Sequence, residues 1–257
     1  MNIDLSGRTA LVTGSTAGIG EATAGALAAA GAEIVVNGRT VESVAETAGR
    51  LGGTGVTADV GTVAGAEAVI EQVADVDVLV NNTGMFTVQP VFDITDEEWL
   101  RCFQVNVLSG VRLARHYAPR MARRGWGRVI FVSSEAGIQT STNMVHYGMT
   151  KTAQLAVSRG MAQEVAGSGV TVNCVLPGPT LSAGVLTMWD DLYPGLDAAE
   201  QERRFVADGR AANSLLGRLI RPEEVAGLIT YLASDQAAAT TGAALSVDGG
   251  LVPTIYP

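Results

Sequence analysis

The chain is 257 residues long and 47% hydrophobic, which suits one large α/β domain with a substantial core. Its formal net charge of −9 argues against a nucleic-acid footprint, which should be basic. No apolar run approaches the ~20 residues needed to span a bilayer, so no membrane partner is expected.

The N-terminus, Met1 to Arg8, contains Asp4 and has no basic segment leading an apolar one, so it does not read as a signal peptide. Thr9 to Thr13 is a short β-branched run bounded by Gly7 and Gly14, and reads as the first strand. Gly14-Ser-Thr-Ala-Gly18-Ile-Gly20 follows, then an Ala-rich helix to about Ala30, with Gly31 ending it. Strand, glycine loop and helix is the layout that brings backbone N–H groups and a helix N-terminus to a phosphate. The spacing is G-x-x-x-G-x-G rather than G-x-G-x-x-G. Glu33 to Asn37 reads as strand 2. NAD-preferring sites place a carboxylate at the end of this strand to hold the ribose 2′-hydroxyl. Here Asn37-Gly38-Arg39 follows, and the Arg39 guanidinium suits a 2′-phosphate. The expected cofactor is therefore NADP(H), with NAD(H) as the alternative.

A helix over Val41 to Leu51, a strand near Gly55 to Ala58 ending at Asp59, a helix over 62–74 and a strand over Asp77 to Val80 continue the rhythm. That βαβαβ alternation predicts a doubly wound parallel sheet of about seven strands with helices on both faces. Ligands should bind at its carboxyl edge, where Asp59 and Asn81-Asn82-Thr83-Gly84 fall. Thr95 to Glu98 reads as a capping box opening a long helix that contains Asn106, an unfavourable residue in a helix interior. Arg120, Arg123, Arg124 and Arg128 read as a solvated basic face near its end. Arg128 to Ser133 reads as strand 5, followed by Ser134.

Tyr147 and Lys151 are four residues apart, hence on one face of a helix that runs to about Val165. Lys151 is the only lysine in the chain. An ammonium beside a phenol favours the phenolate, so Lys151 is expected to lower the Tyr147 pKa into the range of a usable acid/base. Val170 to Val175 is strand 6, ending in Pro177-Gly178-Pro179-Thr180. Residues 181–214 break the rhythm, mixing Leu186, Trp189, Leu192 and Tyr193 with acidic groups, and read as a helical lid over a site. A late helix from Pro222 to about Ala233 and a strand running to Val247 complete a single domain, 1–257. Cys102 and Cys174 match no metal-ligand spacing, and His116 and His146 are too few and too separated for zinc. Free thiols, no metal and a cytoplasmic location are expected.

Taken together, Thr13-Gly14-x-x-x-Gly18-x-Gly20, Asn81-Asn82-Thr83-Gly84, Asn106, Ser134, Tyr147-x-x-x-Lys151, Pro177-Gly178 and Val247-Asp248-Gly249-Gly250 resemble the short-chain dehydrogenase/reductase family, along nearly the whole chain. The resemblance implies a catalytic set of Asn106, Ser134, Tyr147 and Lys151. Tyr147 would be the acid in ketone reduction and the base in alcohol oxidation. Lys151 would also bind the nicotinamide ribose, Ser134 would hold the substrate oxygen, and Asn106 would hold a water in a proton relay to Lys151. Ser133 would point to the opposite face. It further implies a cofactor site built from Gly14, Thr16, Gly18, Ile19, Gly20, Arg39, Asp59, Val60, Asn82, Gly84, Tyr147, Lys151, Pro177, Gly178 and Thr180. Thr83 stands where the family usually has Ala, and Thr180 and Ser182 depart from the usual residues after Pro177-Gly178. His146 reads as a packing or surface residue.

The expected activity is NADP(H)-dependent hydride transfer on a small-molecule ketone or secondary alcohol. The nearest resemblance is to β-ketoacyl thioester reductases. An NAD(H)-dependent sugar or polyol dehydrogenase is the rival, and a non-catalytic NADP-binding regulator is a third reading. The family also implies a homotetramer, with the late helix and C-terminal strand at its interfaces.

Overall fold

The computed structural model describes residues 3–211 and 213–255. The parts of the N-terminal and lid expectations that fall on residues 1, 2 and 212 lie outside them. Seven strands form one parallel sheet in the order β3-β2-β1-β4-β5-β6-β7. They are β1 Thr9–Val12, β2 Glu33–Gly38, β3 Thr54–Thr57, β4 Val78–Asn81, β5 Gly127–Val132, β6 Val170–Pro177 and β7 Ala244–Val247. The α-helices are α1 Gly18–Ala29, α2 Val41–Leu51, α3 Val63–Gln72, α4 Asp96–Phe103, α5 Ser109–Arg124, α6 Val145–Glu164, α7 Ala183–Leu192, α8 Ala198–Phe205 and α9 Pro222–Ala233. The doubly wound parallel sheet expected from the alternation is present.

Parallel strands covered on both faces are buried on both sides, and the inner strands β1, β4, β5 and β6 are buried almost throughout. On one face Leu11, Leu79, Val129, Phe131 and Val172 pack against Val69 of α3, Leu113 and Tyr117 of α5 and Ala162 of α6. On the other, Ala10, Val12, Val78, Val80, Ile130 and Val175 pack against Leu27 of α1, Val44 of α2 and Ile229 of α9. The period of two along each strand sorts neighbouring residues into the two layers. Ala10 pairs with Ile34 of β2 on one side and Val78 of β4 on the other. β1 therefore sits where the strand order reverses, the crevice at which such sheets bind ligands.

Two local expectations are corrected. Arg128 is not part of a solvated basic face. It lies on β5 and is only 1% exposed. Its guanidinium stacks 4.3 Å from the Trp126 ring centroid, and it donates to the Asp235 carboxylate and to the carbonyls of Gly127, Gly169 and Ser234. Those acceptors and the aromatic face compensate the buried charge. Thr95 does cap α4 by accepting from the Glu98 N–H, but the box is half made. The Glu98 carboxylate turns instead to Thr87 and Arg101. Arg120 and Arg124, by contrast, are partly exposed and pair with Asp75.

The segment after β6 forms α7 and α8 around a small apolar cluster of Trp189, Phe205, Ala211 and Leu219. It starts next to the glycine loop, with the Ser182 Cβ 3.8 Å from where a Cβ on Gly18 would stand. Among the described residues, no helix is long and apolar enough to cross a membrane.

Candidate active site

The carboxyl ends of β1, β4 and β5 deliver Gly14, Asn82 and Ser134 to one edge of the sheet. Thr13 joins the first two. Its hydroxyl accepts the N–H groups of Asn82 and Thr83, both at 3.0 Å. The Asn82 amide in turn donates to the carbonyls of Thr13 and Gly14, at 3.0 and 3.1 Å. These bonds fix the glycine loop to the end of β4. Gly14 and Gly18 adopt left-handed backbone, with φ of 60° and 56°, which favours glycine. Gly20 is enclosed, and a Cβ there would lie 2.3 Å from the Gly14 carbonyl oxygen and 2.5 Å from the Asn82 amide nitrogen. Gly20→Ala is accordingly expected to lower stability by about 1–3 kcal/mol, as overpacking does. Thermal unfolding without ligand would read this as a lower Tm, and an unchanged Tm would contradict the enclosure.

No side chain caps the start of α1, where Ala17 is the N-cap. The first N–H groups of a helix lack intrahelical partners, so these are available to an anion, with the helix dipole in support. A groove of about 750 Å³ opens beside them, lined by Gly14, Thr16, Gly38, Arg39, Asp59, Val60, Asn82 and Gly84 among others. A dinucleotide fits this cradle of glycines, amides and the guanidinium groups of Arg39 and Arg101. At the end of β2 no carboxylate reaches the groove. Asn37 is buried and spends its amide on the carbonyls of Val56 and Ala58. At Gly38 a Cβ would lie 2.6 Å from the Thr16 methyl carbon. Arg39 is exposed at the groove's edge. Asp59 uses one carboxylate oxygen to accept the Gly61 N–H at 3.0 Å.

The other expected cofactor residues do not line this groove. Ile19 packs its side chain toward the core. Pro177 ends β6, and Gly178 allows the Asp248 backbone to approach, since a Cβ on Gly178 would lie 2.8 Å from the Asp248 Cα. The Thr180 hydroxyl donates to the Gly178 carbonyl at 2.8 Å.

Helix α6 carries Tyr147 and Lys151. Both face the end of β5, with the Lys151 Nζ 5.4 Å from the Tyr147 ring centroid. The ammonium donates to the Val132 carbonyl at 2.9 Å, and a Cβ on Gly84 would stand 3.5 Å from it. The expected effect on the phenol is not what this arrangement produces. Burial pushes the Tyr147 pKa up, and burial lowers that of Lys151 to about 8. The ammonium lies over the ring and bonds to a carbonyl, so its field at the phenol oxygen does not offset desolvation. Tyr147 is thus a protonated phenol at neutral pH, the form an acid needs.

The Ser134 hydroxyl lies beside Tyr147 and donates to the Glu135 carboxylate, whereas the Ser133 hydroxyl donates to the Lys151 carbonyl at 2.9 Å. The alternation along β5 separates the two serines as expected. Asn106 lies in a π-helical segment, Gln104–Leu108, that joins α4 to α5. Such bulges are frequent at functional sites. The Asn106 side chain clamps the loop after β4, accepting the Met85 N–H at 2.7 Å and donating to the Met85 carbonyl at 2.9 Å. It also donates to the Thr150 hydroxyl at 2.9 Å. The Asn106 carbonyl accepts from Gln154 at 2.6 Å, leaving one lone pair for a further donor. His146 is buried, set edge-on to Trp99 and bonded to Thr87 at 2.7 Å.

Reading the sequence missed Glu135, Thr150 and Gln154. Thr150 and Gln154 are polar and lie one and two turns from residues already singled out, but a one-dimensional pattern does not say which helix they meet. Both cysteines are buried free thiols, and burial raises their pKa values. Among the described residues, no group of three or more His, Cys, Asp or Glu side chains could hold a metal ion.

Comparison with known proteins agrees with this architecture. The family model described as enoyl-(acyl carrier protein) reductase matches residues 14–252. The chain is 47% identical to the uncharacterised oxidoreductase YvaG of Bacillus subtilis, over 100% of both chains. It is 32% identical to the 3-oxoacyl-[acyl-carrier-protein] reductase FabG of Escherichia coli, covering 97% of this chain and 99% of that one. The solved structure of L-sorbose reductase from Gluconobacter frateurii, complexed with NADPH and L-sorbose, superposes with a TM-score of 0.92 at 32% identity, over 99% of this chain and 100% of that one. The motifs, the seven-stranded sheet and these matches agree that the chain belongs to the short-chain dehydrogenase/reductase family of oxidoreductases.

Proposed function

We propose that this protein reduces a small-molecule ketone with NADPH and oxidises the corresponding secondary alcohol in reverse. The observation that carries the reading is the meeting of Ser134, Tyr147 and Lys151 at the carboxyl end of β5, beside a groove shaped for a dinucleotide. When bound, the reduced nicotinamide supplies the hydride. Tyr147, protonated at neutral pH, gives the proton to the substrate oxygen. Ser134 holds that oxygen, and Lys151 supplies the positive field that steadies the phenolate left behind. Asn106 fixes the loop that carries Gly84 and Met85. The segment 181–214 closes over the substrate. NADPH is preferred because Arg39 faces the groove where β2 offers no carboxylate. An acyl thioester, as for FabG, and a ketose, as for L-sorbose reductase, are two of the substrate classes its relatives suggest. The assembly we propose is a homotetramer, with α9 and β7, one of the two edge strands, at its interfaces. Light scattering tests that count.

The deciding experiment follows NADPH consumption across a panel containing L-sorbose, other ketoses, simple ketones and a 3-oxoacyl thioester. No turnover with any of them, together with tight NADPH binding, would favour a non-catalytic cofactor-binding protein. Cofactor choice has its own test. A charge-assisted pair with the 2′-phosphate contributes roughly 1.5–3 kcal/mol. Arg39→Ala should therefore lower kcat/KM for NADPH by about 10- to 100-fold and leave that for NADH nearly unchanged. Parity of the two cofactors in the parent would overturn the assignment.

A further inference from the structure

Among the described residues, Glu135 is the carboxyl group set against the reacting residues, and the function proposed above gives it no task. It follows Ser134 directly, in a short 3₁₀ turn over Glu135–Gly137. The Ser134 hydroxyl donates to the Glu135 carboxylate. The same Ser134 oxygen accepts the Ala136 N–H at 3.1 Å and lies beside Tyr147, whose phenolate it favours. A serine has one proton to give. In this arrangement that proton points at Glu135, so Ser134 cannot also donate to a substrate carbonyl.

We propose that Glu135 is a positioning residue that decides where the Ser134 proton points, and that ketone reduction uses the state in which Glu135 is itself protonated. A protonated Glu135 donates to the Ser134 oxygen. The serine proton then turns to the substrate oxygen, where charge develops as the carbonyl is reduced. An ionised Glu135 again accepts the serine hydrogen bond, and the serine proton turns away from the substrate. The one covalent change in this switch is the Glu135 O–H, whose proton comes from water and returns to it; the hydrogen bond between the two residues reverses direction. Burial raises the Glu135 pKa, and the hydrogen bond from Ser134 opposes this. The groups that face it are Asp248, beyond β7, and Tyr147 and Lys151 of α6. Asp248 accepts the N–H groups of Gly250 and Val252, both at 3.0 Å, and its proximity raises the Glu135 pKa further.

The inference rests on the proposed ketone reduction, so its test has one arm that needs no turnover. Carbon-13 NMR of labelled Glu carboxyls, with Glu135 identified by its loss in Glu135→Gln, should give a Glu135 midpoint above the ordinary value. Ser134→Ala should move that midpoint further up, because the carboxylate loses its donor. A midpoint indifferent to Ser134→Ala would overturn the inference whatever the protein catalyses. The second arm is kcat against pH for reduction of a panel ketone. The parent should lose rate up to tenfold per pH unit as pH rises through the Glu135 midpoint. Glu135→Gln, whose amide can donate to Ser134 at any pH, should be flat there, with KM little changed. The same falling limb in both proteins would overturn the inference. A parent without turnover on the whole panel would instead reject the proposed function and leave the NMR arm to decide.

Discussion

Tyr147→Phe is expected to lower kcat for ketone reduction by about 10²- to 10⁴-fold, the range a positioned general acid contributes, while NADPH binding stays within a few-fold of the parent. The phenylalanine keeps the ring that Phe86 meets edge-on at 6.0 Å and removes only the hydroxyl beside Ser134. The neighbours left behind are not stranded. Ser134 still donates to Glu135 and accepts from Ala136, and Lys151 still bonds to the Val132 carbonyl. The fold should therefore be intact, and unfolding should show a Tm equal to or above the parent's. Fluorescence titration with NADPH and single-turnover reduction would separate binding from chemistry. Parental turnover in this variant would show that the proton comes from elsewhere. A collapse of NADPH binding with turnover would show instead that the phenol shapes the site rather than serves as an acid.

The strands, the layers and the place of the site at the sheet's carboxyl edge were legible in the sequence because each has a local cause. Runs such as Leu11-Val12 and Val78-Leu79-Val80 are apolar on both faces, and glycines stand where backbone must come close. The helix bounds Val41–Leu51 and Pro222–Ala233 match those read from the sequence, the second marked by Pro222 at its first turn. What was not legible depended on distance across the fold. Arg128 follows three arginines in the sequence, yet it is drawn inward by Asp235, more than a hundred residues away. The Tyr147 pKa turned on how much protein surrounds the pair, a quantity that a spacing of four residues does not contain. Glu135 gave no periodic signal, since a single carboxylate after a serine looks like an ordinary turn residue until its burial is known.

Lys151→Met is expected to do two opposite things, and together they distinguish a functional lysine from a structural one. Burial lowers the Lys151 pKa from 10.5 to about 8. Below pH 8 both folded and unfolded chains carry the ammonium, and the fold bears the cost of keeping that charge out of water. Between pH 8 and about 10.5 the unfolded chain binds more protons than the folded one, so the parent gains stability as pH rises through this window. Above it the cost is gone. A shift of this size corresponds to about 3 kcal/mol. Methionine fills a similar volume without the charge but leaves the Val132 carbonyl without its donor, which offsets part of the gain. The variant should thus be more stable than the parent at pH 7 by about 1–2 kcal/mol, with the difference shrinking to nothing or reversing above pH 10. Turnover should fall by about 10²-fold or more, because the field that steadies the phenolate has been removed. Lys151→Arg should not rescue it. A guanidinium is a wide planar fork, and Gly84 stands close against the ammonium it would replace. Denaturant unfolding at pH 7 and pH 10 alongside kcat would check both halves. A variant that loses stability at pH 7 as well as activity would mean that the ammonium holds the fold together, and the argument from its burial would fail.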